Sequence, residues 1–142
     1  MLGLGRSCVR PNWRSGGVIM ALWGALGEFI VRNQLDTMQG CASASVSIRD
    51  GGHVAASLWE QLRQTHLASI EWRVQPRLAL PAKERRRNLA VDAPALIKGY
   101  LRFGAKVLGP PACDPDFNSA DLSLLLRIGD LPARYRKHFL TT

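Results

Sequence analysis

Val9-Arg10-Pro11-Asn12-Trp13-Arg14-Ser15-Gly16-Gly17 runs directly into the apolar segment Val18 to Ile30. A strand-like piece meets a turn, then a glycine pair, then a long helical pattern. That order suits a phosphate cradle. The first turn of a helix carries backbone N–H groups with no internal acceptor, and the helix dipole favours negative charge there. Gly16, Gly17 and Val18 supply those groups, and glycine removes the Cβ that would hold an anion away from the backbone. Arg14 adds a guanidinium fork matched to phosphate oxygens. The same residues also suit an ordinary loop and helix start, so spacing alone leaves both readings open.

Working outward, Leu4 to Val9 reads as a short strand and Pro11-Asn12 as a turn. Val18, Leu22, Ala25, Leu26, Phe29 and Ile30 recur at helical spacing, which predicts a helix over 17–33. Its near-total apolarity predicts burial against a sheet. Glu28 and Arg32 stand four apart in the favourable order on the polar side. Met38 to Ser43 reads as a central strand. Asp50 is an N-cap candidate for a second helix from Gly52 to His66, with Val54, Ala55, Leu58 and Leu62 as its apolar face. Trp72 to Leu80 alternates as a strand, which Pro76 confines to an edge or a bulge. Pro94 suits the first position of a third helix, ending near Phe103. Ala105 to Leu108 and Leu122 to Ile128 read as strands joined by a Pro- and Asp-rich connection. Pro132 to Phe139 closes the chain as a short helix. Strands alternating with helices predict an α/β (α+β) fold, a mixed sheet flanked by helices.

The 142 residues suffice for a single domain over 1–142, and 46% hydrophobic residues exclude a disordered chain. Nineteen Lys and Arg against eleven Asp and Glu give a net charge of +8. That excess favours an acidic partner: nucleic acid, anionic lipid headgroups or an acidic carrier protein. Cys8, Cys41 and Cys113 are odd in number and far apart, which implies neither a disulfide framework nor a zinc site. The simplest setting is a reducing cytoplasm. The apolar stretch from Gly16 to Val31 is interrupted by Glu28 and falls short of a membrane span. His53, His66 and His138 are scattered, and no metal site is expected from them.

Several runs carry a family resemblance. Gly5-Arg6-Ser7-Cys8-Val9-Arg10-Pro11 with Trp13-Arg14 resembles the end of the fourth strand and the acyl-thioester loop of GNAT-superfamily acyltransferases. Arg14 and Gly17 match the first two fixed positions of that loop, whereas Ile19 stands where Gly or Ala is expected. Gly40-Cys41-Ala42-Ser43, Asp50-Gly51-Gly52, Pro94 to Arg102, Asp114 to Leu122 and His138-Phe139-Leu140 resemble the ornithine-lipid, hemolysin-like N-acyltransferase branch. The resemblance runs along nearly the whole chain and implies its carboxy-terminal part only, with the amino-terminal strands of a GNAT-like fold lacking. It implies an N-acyltransferase that moves a 3-hydroxyacyl group from acyl carrier protein to the α-amine of ornithine or a similar amino acid, giving a lyso-ornithine lipid. No tightly bound cofactor is implied; the phosphopantetheine thioester of acyl carrier protein or coenzyme A is the donor.

On that resemblance, Cys8 and Val9 lie on the strand edge that would hydrogen-bond the pantetheine amides. Arg14, Gly16, Gly17 and Val18 would hold its phosphate. The Val9 and Val18 side chains themselves suit core packing. Amide formation needs a neutral amine, a proton acceptor and a donor for the oxyanion. Asp114 and Asp116, flanking Pro115, are the catalytic candidates, able to clamp an ammonium. Asp, Pro and Asn in this pattern equally make a turn. Lys83 to Arg87, with Arg73 and Arg77, is either a solvated linker or a dock for the acidic carrier protein or the anionic face of a membrane. A noncatalytic remnant binding either partner is the alternative. A nucleic-acid domain has only the charge in its favour, since Trp13, Trp23, Trp59 and Trp72 lack the interleaving of basic and aromatic residues.

Overall fold

The computed structural model describes residues 1–5, 8–47, 52–80 and 88–140. Asp50, Gly51 and the basic run Lys83 to Arg87 lie outside the described residues, as do Arg6 and Ser7. In chain order the elements are β1 (Leu2–Leu4), α1 (Gly16–Arg32), β2 (Thr37–Ser47), α2 (His53–Thr65), α3 (Ala95–Arg102), β3 (Lys106–Val107), β4 (Ala112–Asp114), β5 (Ser119–Arg127) and α4 (Ala133–Phe139). Short 3-10 turns occupy Pro11–Trp13, Ile70–Trp72 and Ile128–Asp130.

β1 pairs parallel with β2, β2 antiparallel with β5, and β5 antiparallel with both β3 and β4. The result is a mixed open sheet within an α/β fold, as the alternation of elements predicted. β2 is central, longer than its expected span because β5 offers it a partner from Thr37 to Ser47.

Register sorts the side chains between the two faces. Met38, Gly40 and Ala42 stand opposite Leu126, Leu124 and Leu122, and period-two alternation puts all six on one face. That face receives the helices. Leu58 and Leu62 of α2 and Ile97 of α3 pack on Ala42, Leu122 and Leu124, while Ile30 of α1 packs on Met38 and Leu126. Burying each such Leu or Ile contributes about 1.5–3 kcal/mol. The opposite face is covered at Leu125, where Ala68, Leu108 and Trp72 meet it.

Three expectations fail. α1 is not buried against the sheet: only Gly27 and Ile30 are buried, and Ile19, Met20, Leu22, Phe29 and Val31 are exposed. The middle of the sheet is already occupied by α2 and α3, so α1 touches it along one narrow line through Leu26 and Ile30. Trp72 to Leu80 is not a strand. It holds the sheet by scattered bonds, Val74 N–H to Leu108 O (3.0 Å) and Cys113 N–H to Leu78 O (2.7 Å), with a single bridge at Ala79. Pro76 has no N–H to give to a ladder. The first strand stops at Leu4 instead of reaching Val9, so Cys8 and Val9 are loop residues. The local polar expectations hold: Glu28 and Arg32 form an ion pair one turn apart.

Candidate functional site

Pairing of β1 with β2 ends at Leu4 and Gly40, whereas β2 continues to Ser47 along β5. Beyond Gly40, the β1-side edge of β2 has no strand partner among the described residues. At this opening lies a cavity of about 300 Å³. Gly5, Gln39 and Cys41 line it from the two parting strands, Trp23 from α1, Tyr100 from α3 and Leu124 from the sheet floor. It is a half-open cleft with an apolar floor and unpaired backbone at its rim, suited to an extended, amide-bearing ligand that adds to a strand edge.

α1 passes this cleft at Trp23, and its first turn lies outside the lining. Trp23, which lines it, is seven residues from Gly16, about 10 Å along the helix axis. The first intrahelical bond of α1 runs from Ile19 N–H to Ser15 O (3.3 Å), and the Ser15 side chain makes no cap. Among the described residues no acceptor meets the N–H groups of Gly16, Gly17 and Val18, and both glycines are exposed. The approach is braced. Arg14 donates from Nε to Val9 O (2.9 Å), and Trp13 N–H reaches Arg10 O (2.9 Å). Arg14 therefore spends one donor on holding the loop and keeps its terminal NH₂ groups for solvent or ligand.

Among the described residues, Tyr100 is the one ionisable group with a displaced pKa that lines the cleft. Burial pushes its phenol above its ordinary value of 10.0, so it stays protonated and available as a donor. Trp23 packs edge-on to it, with centroids 5.6 Å apart. Cys41, exposed at the rim, has its Sγ 3.8 Å from Ser123 Oγ.

Asp114 and Asp116 are elsewhere. Asp114 Oδ1 accepts the N–H groups of Asp116 (3.1 Å) and Phe117 (3.2 Å), and Asn118 takes the left-handed conformation, φ 50°, before the chain enters β5. These residues close the β4–β5 hairpin, the turn their types allowed. Asp114 pairs with Ser119, three residues along β5 from Leu122, whose partner Ala42 lines the cleft, roughly 10 Å away. The structure thus sets Arg14, Gly16, Gly17 and Val18 together at the start of α1 and Cys8 and Val9 on the loop leading to them, and neither these residues nor Asp114 and Asp116 are in the cleft lining. Among the described residues no three His, Cys, Asp or Glu side chains converge as a metal site.

Three curated relatives are named L-ornithine N(alpha)-acyltransferase. That of Rhodobacter capsulatus is 35% identical over 98% of this chain, that of Brucella abortus 30% over 98%, and that of Agrobacterium fabrum 31% over 96%. The chain is similar to these L-ornithine N(alpha)-acyltransferases along nearly its whole length. It spans about half of their length: 55%, 51% and 48% respectively. No family model matches the chain, and no solved structure does.

The cleft residues Trp23, Gln39 and Tyr100 are not singled out by the sequence reading. Tyr100 and the Gly40-Cys41 pair sit inside the runs that carry the resemblance, which is the signal that pointed toward them. Nothing local could say that α3 and β2 share one cavity, because 58 residues lie between Cys41 and Tyr100 in the chain.

Proposed function

We propose that this chain carries the donor-binding part of an N-acyltransferase, which moves an acyl group from a phosphopantetheine thioester, borne by acyl carrier protein or coenzyme A, to the α-amine of ornithine or a similar amino acid. The observation that carries this is the cleft where β1 and β2 part, lined by Trp23 of the helix whose first turn carries the uncapped N–H groups of Gly16, Gly17 and Val18. The phosphate meets those N–H groups and Arg14, and the pantetheine amides lie along the open edge of β2. The thioester then rests near Tyr100. The amine nitrogen attacks the carbonyl carbon, a C–N bond forms, the C–S bond breaks, and the amine gives up a proton to a base. The leaving thiolate takes a proton from the Tyr100 hydroxyl, whose residue lines the cleft, and the tyrosinate so formed takes up the proton that the amine released, so that Tyr100 ends as it began.

The net charge of +8 and the exposed apolar side of α1 support contact with an acidic carrier protein or an anionic membrane surface. Among the described residues no helix is long and apolar enough to cross a membrane. The test is calorimetric titration with phosphopantetheine-loaded and unloaded acyl carrier protein, followed by extraction of lipid after incubation with ornithine and acyl donor. The loaded form binds more tightly, and Gly17→Asp, which sets a carboxylate where the phosphate would sit, removes the difference. Equal affinity of Gly17→Asp and wild type for the loaded form overturns the assignment.

A further inference from the structure

The cleft touches residues of both sheet faces. Met38, Gly40, Ala42, Leu124 and Leu126 line it from the face that carries the helices. Gln39 and Cys41 line it as well, and period-two alternation places them on the opposite face. The opening where β1 stops therefore gives onto both faces. The opposite face is covered at Leu125 but bare at Cys41, which is exposed and whose Sγ lies 3.8 Å from Ser123 Oγ. Among the described residues no Asp, Glu, Lys or Arg lines the cleft. A second charge on a molecule whose amine enters this opening must find its partner outside it, because an unpaired charge against apolar walls is costly.

Asp121 is the one acidic residue of β5 and shares the opposite face with Ser123. It stands two residues from Ser123, about 7 Å along the strand. Asp121 is half-buried, and its Oδ1 accepts a hydrogen bond from Ser119 Oγ (3.2 Å). Among the described residues no cation pairs with this carboxylate, and no donor meets Oδ2.

We propose that Asp121 selects the acceptor: it holds the terminal ammonium of a diamino acid whose α-amine enters the opening beside Cys41 and Ser123. The proposal rests on the thioester reading above and deepens it, since it names the residue that tells a diamino acid from other amino acids. Five bonds of about 1.5 Å join the α- and δ-nitrogens of ornithine, an extended span of about 6 Å. That span matches the step of about 7 Å from Ser123 to Asp121. A charge-assisted hydrogen bond then forms between the ammonium and Oδ2. An amino acid without a terminal amine leaves Oδ2 to water, and one with a shorter arm stops a methylene short of it.

Calorimetric titration of the whole chain with ornithine, norvaline and 2,4-diaminobutyrate tests this. Wild type binds ornithine at least about tenfold more tightly than norvaline, which has the same carbon chain without the terminal amine. Asp121→Asn keeps the shape and loses the charge, so it brings the ornithine-to-norvaline ratio toward one and leaves norvaline affinity unchanged. Asp121→Glu extends the carboxylate by one methylene and moves the preference from ornithine toward 2,4-diaminobutyrate, a shift that a merely structural role does not produce. Ser119→Ala removes the bond to Oδ1 and retains the preference for ornithine; its loss there as well would assign Asp121 to the hairpin and overturn the inference. Equal binding of ornithine and norvaline by wild type, or an undiminished preference in Asp121→Asn, overturns it too, while the thioester reading, tested by the carrier-protein titration, stands. If wild type binds none of the three amino acids, the acceptor half of that reading falls and this inference with it. If Asp121→Asn does not fold, the wild-type series and Asp121→Glu decide.

Discussion

Gly27 of α1 faces the carbonyl oxygen of Phe139 so closely that a Cβ at residue 27 would lie far inside van der Waals contact with it. α1 and α4 therefore meet backbone to backbone, and around that contact Phe103, Tyr135 and Phe139 form an aromatic cluster, with Phe103 and Tyr135 edge to face at 4.6 Å. Gly24, one turn earlier on the same helix, has nothing near the place of its missing Cβ. The two glycines should respond to alanine in opposite directions. Gly27→Ala overpacks the crossing and costs about 1–3 kcal/mol. Gly24→Ala gains about 0.5–1 kcal/mol, because alanine loses less backbone entropy on entering a helix. Urea unfolding of both variants measures the pair, and equal effects would mean that the helices do not cross at Gly27.

His66 ends α2, with its carbonyl accepting Val107 N–H (2.8 Å) and its ring beside Thr65 Oγ1 (2.7 Å). Burial, and then the nearby charge of Lys106, hold its pKa below the ordinary 6.5. The unfolded chain therefore binds a proton at higher pH than the folded one. Stability falls as pH drops through 6.5 toward the lower folded value, and none of this contribution is lost above 6.5. The melting temperature of wild type should decline from pH 7.5 to pH 5.5 more steeply than that of His66→Gln. Parallel declines would show that other groups carry the acid sensitivity.

Asp114 has two backbone N–H groups on one carboxylate oxygen, whereas the Asp116 side chain is exposed. Asp114→Ala should cost about 0.5–2 kcal/mol, in the range of a lost helix cap. Asp116→Ala should lie within about 0.5 kcal/mol of wild type, as surface changes usually do. Neither should change the affinity for ornithine by as much as twofold. Loss of ornithine binding in a folded Asp114→Ala or Asp116→Ala variant would place that carboxylate at the acceptor amine.

Arg14 divides its guanidinium between the loop, through Nε to Val9 O, and whatever approaches α1. Lysine keeps the charge and loses the fork. Arg14→Lys should weaken phosphopantetheine binding by about tenfold, the loss of one charge-assisted hydrogen bond, and should raise loop susceptibility to limited proteolysis near Val9. Unchanged affinity with a looser loop would make Arg14 a brace alone.

The sequence by itself determined what short-range physics controls. Helical spacing located α1, α2 and α3 to within a few residues. The Glu28–Arg32 pair followed from four-residue separation, and the Asp-Pro-Asp-Phe-Asn run carried its own turn. Only the tertiary structure decided what each apolar face meets. Leu22 and Phe29 belong to α1's apolar pattern yet face outward, because α2 and α3 already cover the middle of the sheet. The stretch around Pro76 alternates like a strand yet lacks a ladder. β1 ends at Leu4, and that end opens the cleft that Tyr100 reaches from α3. Periodicity records that a face is apolar; it holds no information about which distant segment arrives first to bury it.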